Sequence, residues 1–159
     1  MKKLLKSILL LTVNFCLFVT IFGCVQTVEK FKTDMAAKEI QPLTVAEIKL
    51  AFTEHTMLGK HSKYDWSRYL ASDGIVKSRV WGGWGEELAT GRWWINKKGM
   101  LCINLDNDKY KYGDRCSIVY PEKQKNQYTH IIAIGKKSKS VPDGIYNYRL
   151  VPGNQSGLP

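Results

Sequence analysis

Histidine and acidic side chains are the scarce groups in this chain. Three histidines, His55, His61 and His130, stand beside 14 Asp plus Glu and 24 Lys plus Arg. A metal centre has little to draw on. His55, His61 and Asp65 straddle a turn, and neither H-x-x-x-H nor C-x-x-C spacing supports them as ligands. His130 alternates within an apolar stretch, where a half-buried structural histidine is the ordinary reading. No G-x-S-x-G turn presents a nucleophile, so Ser67, Ser72, Ser78 and Ser117 read as sheet or turn residues. Glu86 and Glu87 are adjacent, and in a strand they point to opposite faces. No glycine loop is built to cradle phosphate. The expectation is a protein that is not an enzyme and that calls for no metal or cofactor.

What is present bounds the fold. The 159 residues suffice for one domain, and a hydrophobic content of 44% excludes a wholly disordered polymer. The 8 Tyr, 5 Trp and 5 Phe favour a sheet, since large flat side chains pack well on a pleated surface.

The N-terminus reads as an address. Lys2, Lys3 and Lys6 precede an apolar run from Ile8 to Phe22, broken by Thr12, Asn14 and Thr20. From Ser7 to Gly23 the run has 17 residues, short of the roughly 20 that a spanning helix needs. A cleaved signal peptide over 1–23 fits better. Ile21-Phe22-Gly23-Cys24 resembles a bacterial lipobox, in which a small residue precedes a cysteine that receives diacylglycerol on its thiol. Cys24 is therefore the expected lipidation site. Val25 after it resembles the outer-membrane sorting default of a two-membrane host. Removing Lys2, Lys3 and Lys6 takes three charges from the formal +10 and leaves +7. Such a surface suits anionic partners; nucleic acid fits the charge but not the export.

Residues 24–42 read as a lipid-anchored tether with a reach on the order of 20–25 Å, although Glu29 to Ile40 also suits a short helix. Thr44-Val45-Ala46-Glu47 is a capping box, and Val45, Ile48 and Phe52 share one helical face. From Thr56 the period changes to two. Thr56–Gly59, Asp65–Leu70, Ile75–Trp81, Arg92–Asn96, Met100–Leu105, Arg115–Tyr120, Tyr128–Ile134 and Ile145–Val151 read as strands. Gly82, Gly83 and Gly85 punctuate the chain as a bulge or loop. The class is mainly β: an antiparallel meander forming a small barrel or sandwich of seven to eight strands, with one short N-terminal helix. It occupies 43–151, and 152–159 reads as a flexible tail.

Cys102 and Cys116 fall on two consecutive predicted strands, and antiparallel neighbours bring such a pair within bonding range. A metal pair lacks nearby partners and a redox pair lacks C-x-x-C spacing, so a structural disulfide is expected.

Together the landmarks Thr56…Gly59, Trp66-x-x-Tyr69-x-x-x-Asp73-Gly74, Gly91-x-Trp93-x-Ile95 and Gly99-x-Leu101-Cys102…Cys116 resemble a family of small exported bacterial proteins known only as a domain of unknown function. The resemblance spans about 43–151. It implies export and a β-rich fold, and it supplies no catalytic residues.

The aromatics are the functional hint. Trp81, Trp84, Trp93 and Trp94, with Arg92, form a candidate binding face, because an exposed Trp beside an Arg stacks a sugar or anchors a protein contact. The plainer reading is a small sheet filled by large aromatics. Lys136, Lys137 and Lys139 form a basic link, read as a solvated hairpin tip or a phosphate contact. The expected function is a non-enzymatic lipid-anchored protein of the bacterial cell envelope, whose β domain binds another envelope component, a protein or an anionic glycan. Its place would be the periplasmic face of the outer membrane in a two-membrane host. A peptidoglycan-binding module or an inhibitor of a host hydrolase are the alternatives. Membrane-extracted protein is expected to give an intact mass that lacks residues 1–23 and carries acyl mass on Cys24. A chain starting at Met1 without acyl mass would refute that.

Overall fold

The computed structural model describes residues 28–61, 63–106, 113–134 and 145–157. The expected signal peptide 1–23, the lipidation site Cys24 and the basic link Lys136, Lys137 and Lys139 lie outside them. The period-two segments become eight strands: β1 (His55–His61), β2 (Tyr64–Leu70), β3 (Ile75–Gly82), β4 (Gly85–Ile95), β5 (Leu101–Leu105), β6 (Arg115–Pro121), β7 (Gln127–Ile134) and β8 (Ile145–Pro152). Each pairs antiparallel with the next, and β8 returns to β1, so the sheet closes into a barrel. Between the two expected β architectures, the barrel is the one formed. A ring of eight strands is just wide enough to be filled by its own side chains or by one small ligand.

Alternation sorts the residues. Met57, Trp66, Leu70, Val76, Leu101, Ile103, Val119, Tyr148 and Leu150 form one buried cluster. The helix α2 (Val45–Phe52) closes one end of the barrel. Its capping box forms as expected: Glu47 N donates to Thr44 Oγ1 at 3.3 Å and Thr44 N donates to Glu47 Oε2 at 2.7 Å. Ile48 and Phe52 are fully buried in the barrel cluster, whereas Val45, expected on the same face, is exposed.

Strand β4 starts earlier than the expected Arg92. Gly82 pairs with Gly85, and Val80 with Glu87, so the glycines flank a two-residue hairpin tip rather than a bulge. The signal was hidden because the outer face of this strand is solvated and carries polar residues such as Glu86 and Thr90. Gly91 has a steric reason for its place: a Cβ there would lie 1.9 Å from the Asn104 carbonyl oxygen across the β4–β5 seam.

Two segments expected to hang free are docked. The helix α1 (Val28–Ala37) buries Phe31 and Met35 against Tyr120 on the outer wall, with Ile118 and Ile145 alongside. Phe31 meets the Tyr120 ring edge-on at 5.6 Å. The helical alternative for this stretch is the one adopted, and over 28–42 the tether reading is corrected. Leu43 N then donates to Val119 O at 2.8 Å. The tail is pinned as well. Gly153 N donates to Glu54 O at 2.9 Å, Gln155 N to Thr56 Oγ1 at 2.8 Å, and Ser156 is fully buried. The flexible-tail reading is corrected over 152–157, since Thr56 satisfies backbone groups that a free tail would offer to water.

Among the described residues the β5–β6 seam is short, running over Leu101–Ser117, Cys102–Cys116 and Ile103–Arg115. The expected disulfide sits at its middle, joining Cys102 to Cys116 across directly paired positions with Cα atoms 4.0 Å apart. Replacing both cysteines by serine is expected to cost about 3 kcal/mol of stability for a loop of this length. Denaturant unfolding with and without reductant measures it, and an unchanged midpoint would show that the seam closes without the bridge.

Candidate functional site

The register of the barrel places more than apolar residues inside. Pairing Met57 with Arg68, Arg68 with Ser78, and Val80 with Glu87 puts Arg68, Ser78 and Glu87 on the inner face. Across the barrel, Ile103 pairs with Arg115, Val119 with His130, and His130 with Tyr146, which turns Arg115, His130 and Tyr146 inward too. A cavity of about 40 Å³ lies among them, lined by Met57, Trp66, Ile103, Arg115, Ser117, His130 and Tyr146.

His130 is the centre of this polar interior. Its Nδ1 lies 2.5 Å from Ser117 Oγ, and Ser117 Oγ donates to Leu101 O at 3.3 Å. Which of Nδ1 and the Ser117 hydroxyl donates in this contact is set by the imidazole tautomer. Nε2 has no hydrogen-bond partner among the described residues, nor have Ser78 Oγ and the Tyr148 hydroxyl, all of them buried. The Tyr148 ring stands 4.1 Å from the imidazole, and Phe52 approaches it from α2 at 6.4 Å. Burial, and after it the positive charge of Arg68, push His130 down to about 3. Burial, and after it Tyr128, raise the Tyr148 phenol well above its ordinary value. Arg68 packs its guanidinium over the Trp66 ring at 4.8 Å. The Ser117–His130 contact forms a polar bridge between β6 and β7.

No protein-family model matches the chain, and no curated protein matches it. The site is read from its own geometry.

The candidate face of the sequence does not come together. Trp93 turns inward against the barrel cluster and donates its Nε1–H to Ala71 O at 2.8 Å. Arg92 is exposed, and Trp94 is half-buried, in register with Cys102. Trp81 and Trp84 sit at the far end of β3 and β4, around the hairpin tip. Trp84 is 60% exposed and Trp81 36%. Trp84 rests edge-on against Tyr64 at 5.5 Å, and Trp81 lies under the Arg79 guanidinium at 5.4 Å. Arg79 in turn pairs with Glu86 at 2.6 Å. His55 bonds locally through Nδ1 to Thr53 O at 2.8 Å, and among the described residues no group of three or more His, Cys, Asp or Glu is placed to hold a metal ion.

The polar interior escaped the sequence reading. Its signal was parity: Arg68 falls in step with Trp66 and Leu70, and Arg115 in step with Ser117 and Val119. The charged residues made those steps look like surface.

His130 makes stability pH-dependent. The unfolded imidazole takes up a proton near 6.5 and the folded one near 3, so stability is full above that range and is lost as pH falls through it. Wild-type protein is expected to lose about 1.4 kcal/mol per pH unit between pH 6 and 4 that His130→Gln does not lose. Parallel slopes from urea melts of the two would contradict this.

Proposed function

We propose that the chain is an exported, non-enzymatic lipoprotein of the bacterial cell envelope, anchored through Cys24, whose barrel binds an anionic glycan of that envelope. In a two-membrane host it faces the periplasm from the outer membrane. The observation that carries the reading is the β3–β4 hairpin. It holds Trp81 and Trp84 exposed at a two-stranded tip, where an aromatic face can stack on a sugar ring. Around the rings stand groups suited to hydroxyls and acidic substituents: the Arg79–Glu86 pair, with exposed Lys60 and Lys63 nearby on β1 and its turn. The basic surface favours an acidic polymer over a neutral one. Export is supported by the apolar N-terminal run and by a disulfide that persists in oxidising compartments.

A protein partner is the second reading, favoured by Leu88, which is 49% exposed on the outer face of the same strand. Calorimetric titration of full-length protein with soluble anionic cell-wall glycan fragments separates the two. Binding is expected, with Trp84→Ala weakening it about tenfold, near the 1–2 kcal/mol worth of one stacked aromatic, at unchanged thermal stability. Absence of heat with any fragment, together with one dominant protein captured by in-cell cross-linking, would replace the glycan by that protein.

A further inference from the structure

The α2 end of the barrel has no part in the glycan-binding reading. We propose that it is a docking surface for an anionic phospholipid membrane, with Leu50 entering the headgroup layer and a rim of lysines meeting the phosphates. Docking there rests on the Cys24 lipid anchor and decides which end of the barrel meets the bilayer.

Helix α2 turns one face to the barrel and leaves the other bare. Ile48 and Phe52 are fully buried, whereas Leu50 is 84% exposed and Val45 43%. Leu50 is the most exposed large hydrophobic side chain among the described residues. In an antiparallel ring alternate turns fall at the same end, so the β4–β5 turn (96–100) and the β6–β7 turn (122–126) flank α2. A Cβ at Gly99 would stand 3.7 Å from Val45 Cγ2, and the Tyr128 ring, just after the second turn, lies 5.4 Å from Phe52. The two turns carry Lys97, Lys98, Lys123 and Lys125, and α2 carries Lys49; all five are exposed. Among the described residues none of the five pairs with a carboxylate. Two acids stand in this group and both are engaged: Glu47 accepts from Thr44 N in the capping box and Glu122 from Thr129 Oγ1. Five ammonium groups against two carboxylates leave +3 around the exposed leucine. Glu54 and Asp73 belong to the β2–β3 side of the same end, where Ser72 N and Ile75 N hold them.

The chemistry of the rim favours a lipid surface over a protein. Every cation in it is a lysine, whereas protein interfaces favour arginine and deplete lysine. A compact ammonium on a flexible stem suits a fluid array of phosphates, and the stem covers apolar surface while the head stays wet. An apolar side chain ringed by lysines is how a surface-bound, non-spanning membrane contact is built. The anchor brings this end to the bilayer. Helix α1 docks Phe31 on Tyr120, two residues before the β6–β7 turn. From Cys24 to the start of α1 at Val28 the chain can span at most about 14 Å. The Trp81–Trp84 tip, at the opposite end of the ring, then points away from the membrane, towards an envelope glycan.

The test uses the acylated full chain added to preformed vesicles of phosphatidylcholine, alone or mixed with phosphatidylglycerol. A fluorophore is placed on Ala46→Cys, exposed on α2, or on Gly83→Cys, in open space at the β3–β4 tip. Nitroxide-bearing lipid quenches whichever label lies against the surface. On anionic vesicles quenching at 46 is expected to exceed that at 83 at least about threefold, and the difference is expected to vanish on neutral vesicles or at about 0.5 M salt. Leu50→Ser combined with Lys97→Glu and Lys98→Glu should abolish the difference while the chain still sediments with the vesicles through its lipid. Equal quenching at the two positions, stronger quenching at 83, or a signal at 46 that ignores lipid charge and salt would each overturn the docking surface and leave the anchor standing. A photo-crosslinker at 46 that joins one protein in cells, with the label there unquenched, would give this end to that protein instead. A chain that carries no acyl mass and stays in the supernatant would overturn anchor and docking together.

Discussion

The short β5–β6 seam of the closed ring is the constraint on which everything else here rests. A ring of strands has no edge to protect; β8 closes it on β1 over five paired positions, and among the described residues the β5–β6 seam has only three. Beyond them the backbone of β6 turns to another partner, with Leu43 N donating to Val119 O. The Cys102–Cys116 bridge lies at the centre of that short seam, where a covalent link does most to prevent the ring from opening. Around it the other closing devices fall into place. Gly91 lets β4 approach β5 where a Cβ would meet the Asn104 carbonyl, and α1 braces the outside of β6 through Tyr120.

Closure also dictates what the interior holds. An eight-stranded ring leaves room for side chains and little more, so each inward residue is buried whatever its chemistry. The apolar majority packs under Phe52 at the α2 end. Towards the other end the inner face carries Arg68, Ser78, Glu87, Arg115, Ser117, His130 and Tyr146. Arg115, Ser117, His130 and Tyr146 of this set line one small cavity, which sets this part of the barrel apart from the rest. The outer surface has its own specialised place at the β3–β4 tip.

Thr56, Gly59, Tyr69 and Asp73 turn out to be fold-making residues. Thr56 is buried and pins the C-terminal segment through Gly153 O and Gln155 N. Gly59 gives way to the Trp66 ring, which a Cβ would meet at 2.0 Å. Tyr69 bonds Glu54 at the exit of α2, and Asp73 Oδ1 accepts from Ile75 N in the β2–β3 turn. None of them touches the His130 cavity except through Trp66. The inward arginines were harder to see because in the sequence they look like surface residues: Arg68 follows a Ser and Arg115 precedes a Cys.

Local chemistry was enough to determine the β class, the number of strands, the α2 capping box and the disulfide, because each depends on neighbours within a few residues or on consecutive strands. Alternation, turn residues and cysteine spacing carry that information directly. The tertiary structure alone decided that the sheet closes on itself, that β4 begins at Gly85, and that 28–42 and 152–157 lie docked. It also decided that Trp93 belongs to the core while Trp81 and Trp84 face water. These depend on which strands become neighbours across the ring. A residue such as Arg115 or His130 acquires its surroundings only when strands far apart in the chain are brought together by closure.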